Sequence, residues 1–143
     1  MNRQRLPTIL VTTSAAGHLI GNVIPAIEHI RDPDWPPHAR FHMMQATCLL
    51  TGADLMAIAV ALGPLRRRER WAFWIELTYV LFAQGGYFAS IATLPKGRPR
   101  GAVFHLLYAC ATIIFLAGLF QGWRGHQGVL ETTHMEKNWE PPP

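Results

Sequence analysis

The sequence predicts an all-α integral membrane bundle of four transmembrane helices. Charged residues make up only 15% of the 143 residues, against about 25% in soluble domains. Between the clusters of charge lie four runs of about 20 mostly apolar residues, the length that crosses a hydrocarbon core about 30 Å thick. A soluble helical bundle is the alternative, but these runs leave it too little polar surface. The charge clusters lie at 1–5, 28–40, 66–70, 96–100 and 124–140.

Each run begins or ends at a residue that favours a helix boundary. Pro7 suits a first helical turn, where its missing N–H is not needed. The prolines of "RDPDWPP" and "LPKGRPRG" interrupt helices because they remove hydrogen-bond donors and fix φ. The pair Gly63–Pro64 ends the second run, and "LRRRER" follows it. The four helices are therefore predicted over 7–27, 41–63, 71–94 and 102–122.

The four helices are predicted to form one domain, 1–123, followed by an exposed, partly disordered tail, 124–143. The start of the chain, "MNRQR" followed by "LPTILVTTSAAG", also resembles a secretory signal peptide with a cut after Ala16. Pro7 and three threonines interrupt that apolar region, and the run continues to Ile27. A retained first helix is therefore the preferred interpretation.

The distribution of Lys and Arg predicts the orientation in the membrane. Eight of these residues lie at the N-terminus, the 2–3 loop and the tail, and five lie in the opposite loops. By the positive-inside rule both termini are expected in the cytoplasm, although the sequence does not say which membrane holds the protein. The net charge of +4 is then explained by basic residues that set the topology and contact lipid headgroups. No stretch resembles a nucleic-acid surface.

Polar side chains inside all four predicted helices indicate a shared polar interior. Such residues are costly in a bilayer and tend to face a bundle interior or a wet cavity. In the first helix, His18 and Asn22 are four residues apart and therefore share a face. The catalytic candidates are Asp54, Glu76, His18 and His105. The candidates for lining a pocket or orienting a ligand are Asn22, His42, Gln45, Tyr79, Gln84 and Tyr108.

The two intramembrane carboxyls are predicted to lie at similar depth. From the helical rise, Asp54 is roughly 13 Å and Glu76 roughly 8 Å from the cytoplasmic edge. They lie on adjacent antiparallel helices, so they are expected to be able to meet and share a proton, which suits general acid chemistry. The structural alternative is that each carboxyl hydrogen-bonds to a neighbouring helix, or that Glu76 reaches the interface beside Arg70.

The opposite edge of the membrane collects histidines around "DWPPHARFHMMQ". His38 and His42 form an HxxxH, a spacing that can share a metal, with Glu28 or His105 as further ligands. The pattern is common by chance, so no metal and no cofactor is predicted. In the preferred interpretation His38 faces solvent or the interface, and His42 points inward toward Gln45 and His105 as an acid/base or hydrogen-bonding group.

Gly17 and Gly21 form a GxxxG, which lets another helix approach closely. A second copy of the chain or a partner membrane protein is the expected occupant of that face. Membrane lipids are the other expected partners.

The stretch "WPPHARFH", followed by the four-run profile, resembles an uncharacterised family of small four-span integral membrane proteins. That resemblance covers most of the chain and implies no activity and no catalytic residues. The profile is also similar, at the level of fold alone, to the membrane bundles that bind or isomerise sterols.

Two classes of function follow from the sequence. The first is an acid/base isomerase, cyclase or epoxide hydrolase that acts on a lipophilic small molecule, with Trp74, Tyr79 and Tyr108 lining the pocket. The second is a non-catalytic protein that binds a lipid or small molecule, or serves as an accessory subunit. No motif separates the two, so the sequence leaves open whether the protein is an enzyme and what its substrate and oligomeric state are.

Overall fold

Helices account for all the regular structure in the part of the chain that can be described. A computed structural model describes residues 5–93 and 102–137, with side chains as far as Arg124 and no strand in these ranges. π-helical turns at Ala61–Leu65 and Val80–Gln84 extend α2 and join α3 to α4. The five helices are α1 (Leu6–Arg31), α2 (Pro37–Val60), α3 (Arg70–Tyr79), α4 (Gly85–Thr93) and α5 (Ala102–Lys137).

Three helical segments among the described residues are long and apolar enough to cross a membrane: Leu6–Arg31, Pro37–Leu65 and Ala102–Arg124. The sequence predicted four such helices. The predicted third helix, 71–94, is divided instead into α3, a π turn and α4, and each piece is shorter than a span. The fold is thus all-helical with three candidate membrane spans.

The helix boundaries differ from the predicted ones mainly at the ends. The second helix begins at Pro37 rather than 41, because proline is tolerated at the first helical position. Helix α1 continues through Pro25 to Arg31. Helix α5 continues to Lys137, into the segment where the sequence predicted a tail from 124. Residues 94–101 and 138–143 lie outside the described residues.

Helix α1 packs against both α2 and α5. The contact with α5 is close because Gly118 has no side chain: a Cβ there would lie 2.8 Å from Leu10 Cβ and 3.1 Å from the Pro7 carbonyl oxygen. About two turns further along, the Ser14 hydroxyl donates to the Ala111 carbonyl oxygen over 2.6 Å. Since Pro7 meets Gly118 and Ser14 meets Ala111, the two helices run antiparallel.

Polar and apolar side chains are distributed in the opposite way to a soluble protein. Large apolar side chains lie on the outside, with Phe82 80% and Leu49 70% exposed. The interior combines a small apolar cluster that includes Val11 and Phe115 with buried polar residues, namely Thr8, Ser14, His18, Asp54, Glu76 and Gln84. An apolar exterior around polar groups is the arrangement expected of helices surrounded by lipid.

A tight turn connects α2 to α3 and is held by polar contacts. Arg68 has a φ of 61°, in the left-handed region, which lets the chain reverse direction. Glu69 accepts hydrogen bonds from Arg67 Nε over 2.7 Å and from the Trp71 indole over 2.6 Å. The hydrogen bond from Arg67, followed by that from Trp71, lowers the pKa of the Glu69 carboxyl. This turn brings the start of α3 back alongside the end of α2.

Candidate functional site

A histidine and an aspartate on different helices form the centre of the buried polar interior. His18 Nδ1 of α1 lies 2.8 Å from Asp54 Oδ1 of α2. Asp54 is fully buried and His18 is 4% exposed. In the tautomer with the hydrogen on Nδ1, the imidazole donates to the Asp54 carboxyl and Nε2 accepts hydrogen bonds. That tautomer is assigned from the partners around the ring.

Two tyrosines complete the hydrogen-bonded group. The Tyr108 hydroxyl of α5 donates to His18 Nε2 in a short hydrogen bond. The Tyr79 hydroxyl of α3 donates to Asp54 Oδ1 over 2.5 Å. Four helices therefore each contribute one side chain to a chain of contacts from Tyr79 through Asp54 and His18 to Tyr108. We call these residues the central cluster.

Asn22 holds the imidazole from within α1. Its Nδ2 lies 3.1 Å from His18 Nε2 and donates to the His18 carbonyl oxygen over 2.9 Å. The contact arises because residues four apart in an α-helix lie one above the other. Asn22 therefore restricts the rotation of the ring toward Tyr108.

The central cluster lies far from both ends of the helices. From the helical rise, His18 is roughly 18 Å from the start of α1 and roughly 20 Å from its end. Asp54 is roughly 16 Å from the end of the second candidate span. At this depth a polar group depends on protein partners, because water is scarce.

A cavity of about 410 Å³ lies between α1 and α5 and reaches the central cluster. His18, Tyr108 and Gln84 form part of its wall, and most of the remaining wall is apolar. Ile20 and Leu107, which also line it, are 59% and 63% exposed, so the cavity opens sideways toward the surroundings of the bundle. The volume is within the range of about 300–1,000 Å³ that is typical of small-molecule sites.

Tyr87 and His105 extend the polar groups toward the start of α5. The Tyr87 hydroxyl lies 2.5 Å from His105 Nδ1. The Tyr87 ring stacks on the Tyr108 ring with centroids 3.8 Å apart. His105, a catalytic candidate in the sequence, therefore contacts Tyr87 and reaches the central cluster only through stacked aromatic rings.

The expected pairing of Asp54 with Glu76 is wrong. Both Glu76 carboxylate oxygens are buried without a hydrogen-bonding partner. Asp54 is bonded through Oδ1 to His18 and Tyr79, and its Oδ2 has no partner. Depth along a helix, from which the pairing was predicted, does not fix the rotation of the helix about its axis and so does not decide which side chains meet.

The outer histidines are also arranged differently from the prediction. His42 Nε2 lies 3.0 Å from His38 Nε2, and both side chains are exposed. Gln45 is exposed as well, so the expectation that His42 points inward toward Gln45 and His105 is wrong. Among the described residues, no group of three or more His, Cys, Asp or Glu is placed to hold a metal ion.

The glycine pair of α1 lines the cavity. A Cβ added at Gly17 or Gly21 would meet nothing within 4 Å, so no described helix of this chain packs closely there. Both residues form part of the cavity wall. Close helix approach occurs at Gly118 instead, which the sequence did not indicate.

Tyr87 is the site residue that the sequence analysis missed. The only signal was a tyrosine inside the third apolar run, eight positions after Tyr79. No family model, curated protein or solved structure matches this chain. The resemblances noted from the sequence therefore stay predictions, and the function has to be argued from the site itself.

Proposed function

We propose that this chain is a multi-pass membrane enzyme that moves a proton on a lipophilic small molecule bound between α1 and α5. The observation that carries the proposal is the Asp54–His18–Tyr108 chain, which ends at the wall of an apolar cavity. A carboxylate that orients an imidazole, which in turn accepts from a hydroxyl, is a recurring arrangement for activating that hydroxyl.

In the proposed reaction Tyr108 is the group that meets the ligand. Its oxygen takes a proton from a carbon of the ligand while its own proton passes to His18 Nε2. Asp54 stabilises the imidazolium that forms. The proton on Tyr108 exchanges with solvent through His18 before a proton is delivered to a different carbon of the ligand. The double bond moves, which is an isomerisation, and the product carries one hydrogen from the solvent. A positioned acid/base group of this kind contributes about 10²–10⁴-fold to a rate.

The proposal includes four membrane crossings, with the α3–π turn–α4 segment as the third. Two contacts support it: Tyr79 meets Asp54 in the last third of α2, and Tyr87 meets His105 near the start of α5. The segment 70–93 thus follows its neighbours along their length, roughly 36 Å by the helical rise. With four crossings both termini lie on one side, which the basic residues assign to the cytoplasm.

Solvent deuterium tests the reaction even before a substrate has been identified. Proteoliposomes containing the protein are incubated in D₂O with a total lipid extract of the expressing cells, and the extract is analysed by mass spectrometry. A lipid that gains one deuterium with wild type but not with His18→Phe or Asp54→Asn supports the proposal. His29→Phe is the matched control, since His29 lies near the end of α1 and stacks on Trp35.

A non-catalytic binding protein is the competing function, and the open cavity favours it as well. In that case a lipid co-purifies with the protein, and its mass is unchanged after incubation in D₂O. Absence of wild-type-dependent deuterium in any lipid would exclude the enzyme.

Topology is tested separately with single cysteines. In a chain whose Cys48 and Cys110 are replaced by alanine, Asp34→Cys should react with an impermeant maleimide added outside intact cells. Arg66→Cys should react only after the cells are opened. The reverse pattern would contradict the proposed orientation.

A further inference from the structure

Gln84 is a buried amide that forms no hydrogen bond with any of the described residues and that the proposed chemistry does not yet use. Its side chain is fully buried, and neither the amide nitrogen nor the amide oxygen has a hydrogen-bonding partner. It lies beside the Tyr79 hydroxyl, without reaching hydrogen-bonding geometry, and it forms part of the cavity wall. An unsatisfied amide at the wall of a cavity is expected to meet a polar group of the ligand.

The π turn Val80–Gln84 explains how Gln84 reaches this position. In a regular α-helix, residues eight apart, such as Glu76 and Gln84, lie about 80° apart around the axis. The wider π turn reduces that offset, and both residues are fully buried. Such turns are frequent at functional sites, because they redirect a side chain without ending the helix.

The cavity wall also limits the class of ligand. Among the described residues, no Lys or Arg lines it, so no described side chain there would neutralise a carboxylate or a phosphate in an apolar setting. The Ser14 hydroxyl is already used by the Ala111 carbonyl oxygen. The ligand that fits best is a neutral, mostly apolar molecule with an oxygen that accepts a hydrogen bond from Gln84.

We propose that the cavity binds a lipophilic ketone and that Gln84 Nε2 donates a hydrogen bond to the ketone oxygen. The catalytic part of this inference rests on the proposed function. When Tyr108 takes the proton, the C–H bond beside the carbonyl breaks and its electron pair forms a C=C bond. The negative charge moves to the carbonyl oxygen, where the Gln84 N–H stabilises it. In a ketone whose C=C bond begins at the next carbon, delivery of a proton to the far carbon of that bond restores the carbonyl and moves the C=C bond, so no further reactant is needed.

Decalone and decalin are matched probes that differ only by the carbonyl oxygen. Binding of each to the protein in nanodiscs is measured by equilibrium dialysis and corrected with empty nanodiscs. Wild type should bind decalone about tenfold more tightly than decalin, the effect of one buried hydrogen bond. Gln84→Leu should remove the preference. Gln121→Leu, the same change on the exposed side of α5, should retain it.

Equal affinity of wild type for the two probes would overturn the inference, as would an unchanged preference in Gln84→Leu. Decalol binding as tightly as decalone would overturn the assignment of a carbonyl. If Gln84→Leu does not fold, the wild-type comparison and Gln84→Met give the decision. A ketone preference with no deuterium exchange into decalone or any lipid supports this site and contradicts only the proposed reaction.

Discussion

Asp54 Oδ1 and His18 Nδ1 lie 2.8 Å apart although 36 positions separate the two residues in the chain. Tyr79 also bonds to Asp54 Oδ1 and Tyr108 to His18 Nε2, and both members of the pair are buried within the protein. The hydrogen bonds among these residues fix the positions of their four helices relative to one another. The His18–Asp54 pair therefore contributes both to helix packing and to the chemistry proposed for the cavity.

A double-mutant cycle should reveal strong coupling between His18 and Asp54. We expect Asp54→Asn to cost about 1–3 kcal/mol more in wild type than in His18→Phe, because the second background has already lost the hydrogen bond. Unfolding by a denaturing detergent measures the free energies. His29→Phe combined with Asp54→Asn is the control and should be additive. Additivity within about 0.5 kcal/mol for His18 and Asp54 would contradict the observed contact.

Replacement of Glu76 by methionine should stabilise the protein. Both Glu76 oxygens are buried without a partner, and an unsatisfied buried polar group costs about 1–3 kcal/mol. Met has a similar length and no polar atom, so Glu76→Met should raise the free energy of unfolding by about that amount. Glu28→Met, at an exposed position, should change it by less than about 0.5 kcal/mol. A lower stability of Glu76→Met would mean that the carboxyl has a partner in the folded protein.

Gly118 and Gly52 should respond in opposite directions to alanine. At Gly118 the new Cβ would lie 2.8 Å from Leu10 Cβ, whereas at Gly52 it would meet nothing within 4 Å. Gly118→Ala should cost about 1–3 kcal/mol by separating α1 from α5. Gly52→Ala should gain about 0.5–1 kcal/mol, the helix preference of alanine over glycine. Thermal unfolding in detergent measures the stability of both variants. Equal changes in stability would contradict the close contact between α1 and α5 at Gly118.

A charge at Phe82 tests whether the third apolar segment enters the bilayer. Phe82 is 80% exposed and lies in the π turn at the middle of that segment. Phe82→Arg should reduce insertion by about 2.5–3.5 kcal/mol, whereas Phe82→Leu should have little effect. A glycosylation-based insertion assay gives the inserted fraction. Wild-type insertion of Phe82→Arg would indicate that this segment lies outside the hydrocarbon core.

The residues of the central cluster could be found from the sequence one at a time, but their contacts could not. His18, Asp54, Tyr79 and Tyr108 stand out because polar groups are rare in apolar runs of this length. Depth along a helix is predictable from its rise. Depth alone led to the prediction that Asp54 pairs with Glu76. That prediction was wrong because depth does not fix the rotation of a helix about its axis. Those rotations bring Asp54 to His18 and Tyr79 instead.

Composition and the spacing of apolar and charged residues determined that this protein is all-helical and has helices able to cross a membrane, since lipid imposes length and hydropathy on each segment separately. Tertiary structure decided that Asp54 faces His18, that His42 faces outward and that Gln84 lines a cavity. Those outcomes depend on how four side-chain surfaces fit together at once. Local sequence constrains each surface but does not specify which partner it meets.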